Sequence, residues 1–174
     1  MSVRFAKSQI ILHWLTLLMV ILTYSAMLLS DWVPDDYFSL VKELHFHFGL
    51  SVFVLMLFRL YLRQRHAVPP ITPALAPWQA LGSTMFHWLL YLLFLSLPIL
   101  GVLTLAYGGK QWMLLGWQVP QWVTPDSGMR NLVRSIHETL ANSGYFIIGV
   151  HALAALYHHY LRGDDTLRRM MPGK

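Results

Sequence analysis

Four stretches of the chain contain no Asp, Glu, Lys or Arg: Ser8 to Ser30, Leu44 to Phe58, His66 to Gly109 and Thr139 to Leu161. An α-helix needs about 20 predominantly apolar residues to cross a bilayer, so each stretch predicts one span. The first predicts a helix over roughly 9–29. The second predicts one over 44–62, with Arg59 inside its far end. The third stretch contains Pro69, Pro70, Pro73 and Pro77 near its start and cannot be helical throughout; its helix is expected over 86–106. Pro98 falls inside that helix, a disruption that neighbouring helices can absorb in a membrane. The fourth predicts a helix over 135–161, long enough to tilt or protrude.

Composition agrees with this pattern. The 174 residues are 56% hydrophobic and 12% charged, which places the chain among membrane proteins. The expected fold class is all-α, an integral membrane four-helix bundle, with residues 1–174 forming a single transmembrane domain. The first apolar run is too long for the core of a signal peptide, and Ser25-Ala26-Met27 is a poor cleavage site, so it reads as a retained helix. The chain has no cysteine. That excludes disulfides, iron–sulfur clusters, thiolate-ligated haem and covalently attached c-type haem. The net charge of +5 forms no recognition motif; the basic residues flank the spans, and no nucleic-acid partner is expected.

Four spans return both termini to one side of the membrane. Nine of the 13 basic residues fall on that side: Arg4, Lys7, Arg59, Arg63, Arg65, Arg162, Arg168, Arg169 and Lys174. The other side holds Lys42, Lys110, Arg130 and Arg134, with Asp31, Asp35 and Asp36. The asymmetry predicts cytoplasmic termini. The segment 110–129, with Trp112, Trp117 and Trp122 among Gly and Pro, reads as an outer loop whose tryptophans meet the lipid interface.

Within this topology four histidines stand out. His137 and His151 are fourteen residues apart, about 21 Å along a helix with only ~40° of angular drift. One helix therefore presents two imidazoles on one face at two depths. His13 lies near the cytoplasmic start of the first span and His45 near the outer start of the second. The depth-matched pairs are His13 with His151 and His45 with His137. Histidine inside a membrane is costly and marks a functional site by default. Two pairs at two depths fit axial ligation of two non-covalent b-type haems, each held by two histidines. Zinc or nickel at these pairs would lack the carboxylates or thiolates that usually complete such sites. Gly49, Gly144 and Gly149 lie near the ligands, where small residues let a flat macrocycle approach the backbone or let helices meet closely.

Arg59 stands fourteen residues after His45, level with His13 and His151. It fits either a cation for an inner haem propionate or a snorkelling topology residue. His158, seven residues past His151, is a candidate proton donor or hydrogen-bond partner for a quinone. His87, at the same side, is a second candidate. His47, His66 and His159 have no expected role.

The sequence resembles the bacterial di-haem cytochrome b561 family, whose best-understood type is a superoxide:ubiquinone oxidoreductase. The likeness spans nearly the whole chain: QIILHW at Gln9–Trp14, HFHFG around His45 and Gly49, LMLFRLYLR at Leu55–Arg63, and His87 with YLLF from Tyr91 and Pro98. Its most specific part is HETLANSGYFIIGVHALAALYHH at His137–His159, with Met170-Met171-Pro172 beyond it. The resemblance implies haem ligation by His13, His45, His137 and His151, a multi-pass location in the bacterial inner membrane, contact with membrane lipid, and ubiquinone as substrate. Two functions follow from it. One is superoxide oxidation at the outer haem with electrons passed inward to quinone. The other is an electron carrier linking a partner dehydrogenase or hydrogenase to the quinone pool. A superoxide-oxidising member is expected to focus positive potential at its outer mouth. Here the first outer loop carries Asp31, Asp35 and Asp36 against Lys42, leaving Lys110, Arg130 and Arg134 to supply that potential from the other loop. A haem-free transporter or metal channel is disfavoured by the paired histidines.

Overall fold

The computed structural model describes residues 4–114 and 116–172; Lys174, counted above with the cytoplasmic charges, lies outside the described residues. Four long helices follow one another: α1 (Lys7–Leu29), α2 (Asp35–Arg65), α3 (Pro77–Tyr107) and α4 (Ser127–Leu156). All four are long and apolar enough to cross a membrane. A two-stranded antiparallel hairpin, β1 (Met113–Leu114) and β2 (Trp117–Gln118), lies between α3 and α4. Its turn uses Gly116 at φ 86°, a conformation that side-chain-bearing residues rarely adopt.

α1, α2 and α4 begin before their charge-free stretches, and α3 begins at Pro77 and not at the expected 86, because capping and first-turn residues start them. Asp35 and Asp36 form the first turn of α2, with Arg63 and Arg65 in its last turn, so both ends oppose the helix dipole. Two of the three acids assigned to the first outer loop are therefore helix-start residues. The Gln79 side chain accepts from the Ala76 backbone N–H at 3.2 Å and Pro77 opens α3. Asp126 caps α4 by accepting from the Met129 N–H at 2.9 Å.

Large apolar side chains point outward along all four helices, among them Leu18, Ile21, Leu92 and Phe146. Such a surface belongs against lipid. The buried core is a small cluster: Val20 of α1, Val52 and Met56 of α2, and Tyr91 and Phe94 of α3. Adjacent helices pack closely as α1 on α2, α2 on α3 and α3 on α4. By contrast, α4 makes little close contact with α1 or α2, and Val133 and Gly144 are its buried residues.

Past Leu156 the last helix does not continue as α. Tyr157–Leu161 is wound as a π-helix, and the chain then folds back across the end of the bundle. The Phe5 N–H donates to the Arg169 carbonyl at 3.2 Å, and the Trp14 indole donates to the Met170 carbonyl at 2.8 Å. The buried Arg169 guanidinium donates to the Pro69 carbonyl. Asp165 and Thr72 exchange hydrogen bonds at 2.9 and 3.2 Å. The tail thereby ties the N-terminus, α1 and the 66–76 loop together.

Candidate functional site

His13 on α1 and His151 on α4 face one another with ring centres 6.3 Å apart. His45 on α2 and His137 on α4 face one another at the same separation, 6.3 Å. Two imidazoles on opposite sides of one metal ion, each nitrogen about 2 Å from it and each ring centre about 1 Å further, have centres about 6 Å apart. Both pairs match that figure. They bridge the helix pairs α1/α4 and α2/α4, which make little close contact. A flat ligand between the rings would take the place that side-chain packing fills elsewhere.

The His45–His137 pair is oriented by backbone. The Nδ1 of His45 lies 2.9 Å from the Thr23 carbonyl, and the Nδ1 of His137 lies 2.9 Å from the Leu97 carbonyl. A carbonyl only accepts, so Nδ1 carries the proton in both rings and Nε2 keeps its lone pair for a metal. Leu97 directly precedes Pro98, which breaks the regular α3 hydrogen-bond ladder. Gly101, one turn on, leaves room for the ring: a Cβ there would stand 3.7 Å from His137 Cε1.

The His13–His151 pair has different surroundings. Arg59 Nη2 lies 3.1 Å from His13 Nδ1, which puts Arg59 at the level of His13; a His13 that keeps its Nε2 lone pair for a metal carries its proton on Nδ1 and does not accept from Arg59 there. His151 makes no side-chain hydrogen bond among the described residues. His87 stands edge-on against His151 with ring centres 5.5 Å apart and donates from Nδ1 to the Ser83 carbonyl at 2.6 Å. No group of three or more His, Cys, Asp or Glu arranged for a metal ion occurs among the described residues. The donor set, two opposed neutral nitrogens per site, suits a haem whose porphyrin supplies the other four ligands.

Residues 4–173 match the model of the prokaryotic cytochrome b561 family. The chain belongs to this family. It is a membrane cytochrome b, a multi-pass protein that binds haem b. A relative from Escherichia coli (strain K12), "Cytochrome b561 homolog 1", is 48% identical over 171 residues, covering 97% of each chain. "Probable superoxide oxidase CybB" of Yersinia pestis is 39% identical over 174 residues, covering 100% of this chain and 99% of the relative. "Cytochrome b561 homolog 2" of Escherichia coli (strain K12) is 28% identical, covering 97% and 91%.

The other expected residues of this cytochrome fall as follows. His158 lies where α4 gives way to π winding, so the α-helical phase that aligned it with His151 no longer applies. Its Nδ1 is 2.7 Å from Asp164 Oδ2, and the Asp164 side chain is only 3% exposed. Burial alone would raise the Asp164 carboxyl, but hydrogen bonds from Thr166 and from His158 outweigh it and hold it below the usual carboxylate range. His159 donates to the Asp164 carbonyl at 3.2 Å. His47 and His66 bond to carbonyls of their own helix. At the other end, Lys42 lies within the electrostatic reach of Lys110, Arg130 and Arg134. Four cations thus gather on the side of the His45–His137 pair.

Sequence reasoning did not anticipate Asp164, the carbonyls of Thr23 and Leu97, or the buried Arg169. It also missed the meeting of α1 and α4 at Tyr24, whose hydroxyl donates to the Ala141 carbonyl at 2.9 Å. A Cβ on Gly144 would fall inside contact distance of that hydroxyl. The lone signals available were Pro98 beside Leu97 and the position of Gly144 midway between His137 and His151.

Proposed function

We propose that this cytochrome is a superoxide:ubiquinone oxidoreductase of the bacterial inner membrane, with both termini in the cytoplasm. The observation that carries the haem assignment is the pair of 6.3 Å histidine separations at two levels of one bundle. On this reading His45 and His137 hold an outer haem b, and His13 and His151 an inner one. A haem b held by two histidines at each site would supply a reversible one-electron carrier that does not bind oxygen.

The chain's own residues supply the rest. Lys42, Lys110, Arg130 and Arg134 raise the local concentration of an anionic donor at the outer end. Two superoxide anions each give up one electron there and leave as dioxygen. Ubiquinone at the inner end takes those two electrons with two protons to become ubiquinol. His158 and His87 are the candidates to deliver protons: His158 is hydrogen-bonded to Asp164, and His87 stands beside the inner ligand His151. Arg59, beside His13, has the charge and position to pair with an inner propionate. The name of the Yersinia pestis relative supports the choice of superoxide as donor.

Stopped-flow mixing of the purified, haem-loaded protein with pulsed superoxide tests this reading. Fast haem reduction with no second protein, followed by ubiquinone-dependent reoxidation, is the expected result. Reduction that occurs only with a partner dehydrogenase or hydrogenase would make the protein an electron carrier instead.

A further inference from the structure

The two histidine pairs differ in what their outward-facing nitrogens meet. Both outer ligands give their Nδ1 proton to a backbone carbonyl, His45 to Thr23 and His137 to Leu97, each at 2.9 Å. Neither inner ligand has such an acceptor. His13 Nδ1 meets the Arg59 guanidinium at 3.1 Å, a group that donates and never accepts. His151 makes no side-chain hydrogen bond among the described residues. Two carbonyls at one site thus stand against a fixed cation at the other.

These contacts have opposite effects on a bound iron. An imidazole whose N–H is held by an acceptor is a more basic ligand through its other nitrogen, and greater electron donation favours the oxidised metal. Without the acceptor that donation is weaker. A guanidinium touching the ring adds positive charge in a poorly screened setting and favours the reduced metal, which carries one charge fewer. Arg63 reinforces this on the inner side, lying over the Trp88 and Tyr91 rings at 5.4 and 5.8 Å. At the outer end Lys42, Lys110 and Arg134 are exposed and Arg134 is paired with Glu138 at 2.7 Å, so water screens these charges more than it screens Arg59 inside the bundle.

Building on the haem assignment above, we propose that the charge of Arg59, beside His13, gives the inner haem the higher reduction potential, so that electrons run downhill from the His45–His137 site to the His13–His151 site. Direction is then built into the chain and does not depend on which donor or quinone is present. The same device explains why an arginine lies so far inside a span: the charge tunes a redox centre in addition to marking topology.

A potentiometric titration of the purified two-haem protein, followed by electron paramagnetic resonance, tests this. The single-haem forms left by His137→Ala and His151→Ala identify which component is which. In the wild type the inner component is expected to reduce first. Arg59→Gln is expected to lower the inner haem's reduced-to-oxidised ratio at a fixed potential by about tenfold, equivalent to about 59 mV for one electron, with the outer component unmoved. Arg59→Lys, which keeps the charge without the planar fork, should fall between the two. An inner component that reduces second in the wild type overturns the proposal, as does an Arg59→Gln protein with two haems at unchanged potentials. Should Arg59→Gln lose its inner haem, the wild-type order and the Arg59→Lys shift decide the matter. A wild type that lacks two bis-histidine haems overturns the haem assignment instead.

Discussion

His13 and His151 come from helices far apart in the chain that make little close contact, yet their rings face each other with centres 6.3 Å apart. The His45–His137 pair repeats this separation at the other end of the bundle. Haem content should therefore be lost in pairs. His13→Ala and His151→Ala are each expected to remove one and the same haem, and His45→Ala and His137→Ala the other. Pyridine haemochrome quantitation with the redox spectrum of each variant checks this. Joint loss of one haem in His13→Ala and His45→Ala would refute the pairing.

Gly144 is where α1 and α4 come together. Its missing side chain admits the Tyr24 hydroxyl, which donates to the Ala141 carbonyl at 2.9 Å and stacks edge-on against Tyr145. Gly144→Ala should destabilise the protein by about 1–3 kcal/mol through overpacking. The double variant Gly144→Ala with Tyr24→Phe removes the clashing oxygen and should recover part of that loss. Thermal unfolding in detergent reads both; a single variant as stable as wild type would contradict the close approach.

Asp164 ties the tail to the end of α4. Its carboxyl is held below the usual range, so its contribution is present at neutral pH and is lost as the pH falls below about 4, through the depressed folded value. Asp164→Asn should therefore cost about 1–2 kcal/mol at pH 7 and progressively less under acid conditions. Unfolding midpoints of wild type and variant across the acid range should converge. A gap that widens as the pH falls would show the sign to be wrong.

Charge at the outer mouth has a kinetic signature. Lys42→Gln combined with Arg130→Gln should slow reduction by superoxide about tenfold at low salt and flatten its dependence on ionic strength. Reduction by an uncharged donor should be unaffected. Equal losses for charged and uncharged donors would mean that the variant damages the haem site and does not weaken steering.

The number of long apolar helices, their order and the level of each histidine along the bundle are legible in the sequence. Charge-free stretches mark segments that can enter lipid, and the 3.6-residue period sets a side chain's height and face over fourteen residues. Pairing followed from the same arithmetic, since helices that alternate in direction bring only particular histidines level. Helix ends were less legible: α2 starts at Asp35 and α4 at Ser127, well before their apolar residues, because caps and first-turn carboxylates stabilise polar turns that hydropathy does not register.

Tertiary structure alone decided what each ligand's second nitrogen meets. Thr23 and Leu97 contribute backbone carbonyls, atoms common to every residue, and so leave no mark in side-chain identity. Their placement depends on how α1 and α3 lean on their neighbours. The π turn that takes His158 off the α-helical phase of His151, and the burial of Arg169 and Asp164 under a folded-back tail, depend on contacts between segments 100 or more residues apart, 156 for Trp14 and Met170. Local periodicity carries no information about such contacts. The α-helix dictates where along the bundle a group lies, and packing dictates what it touches.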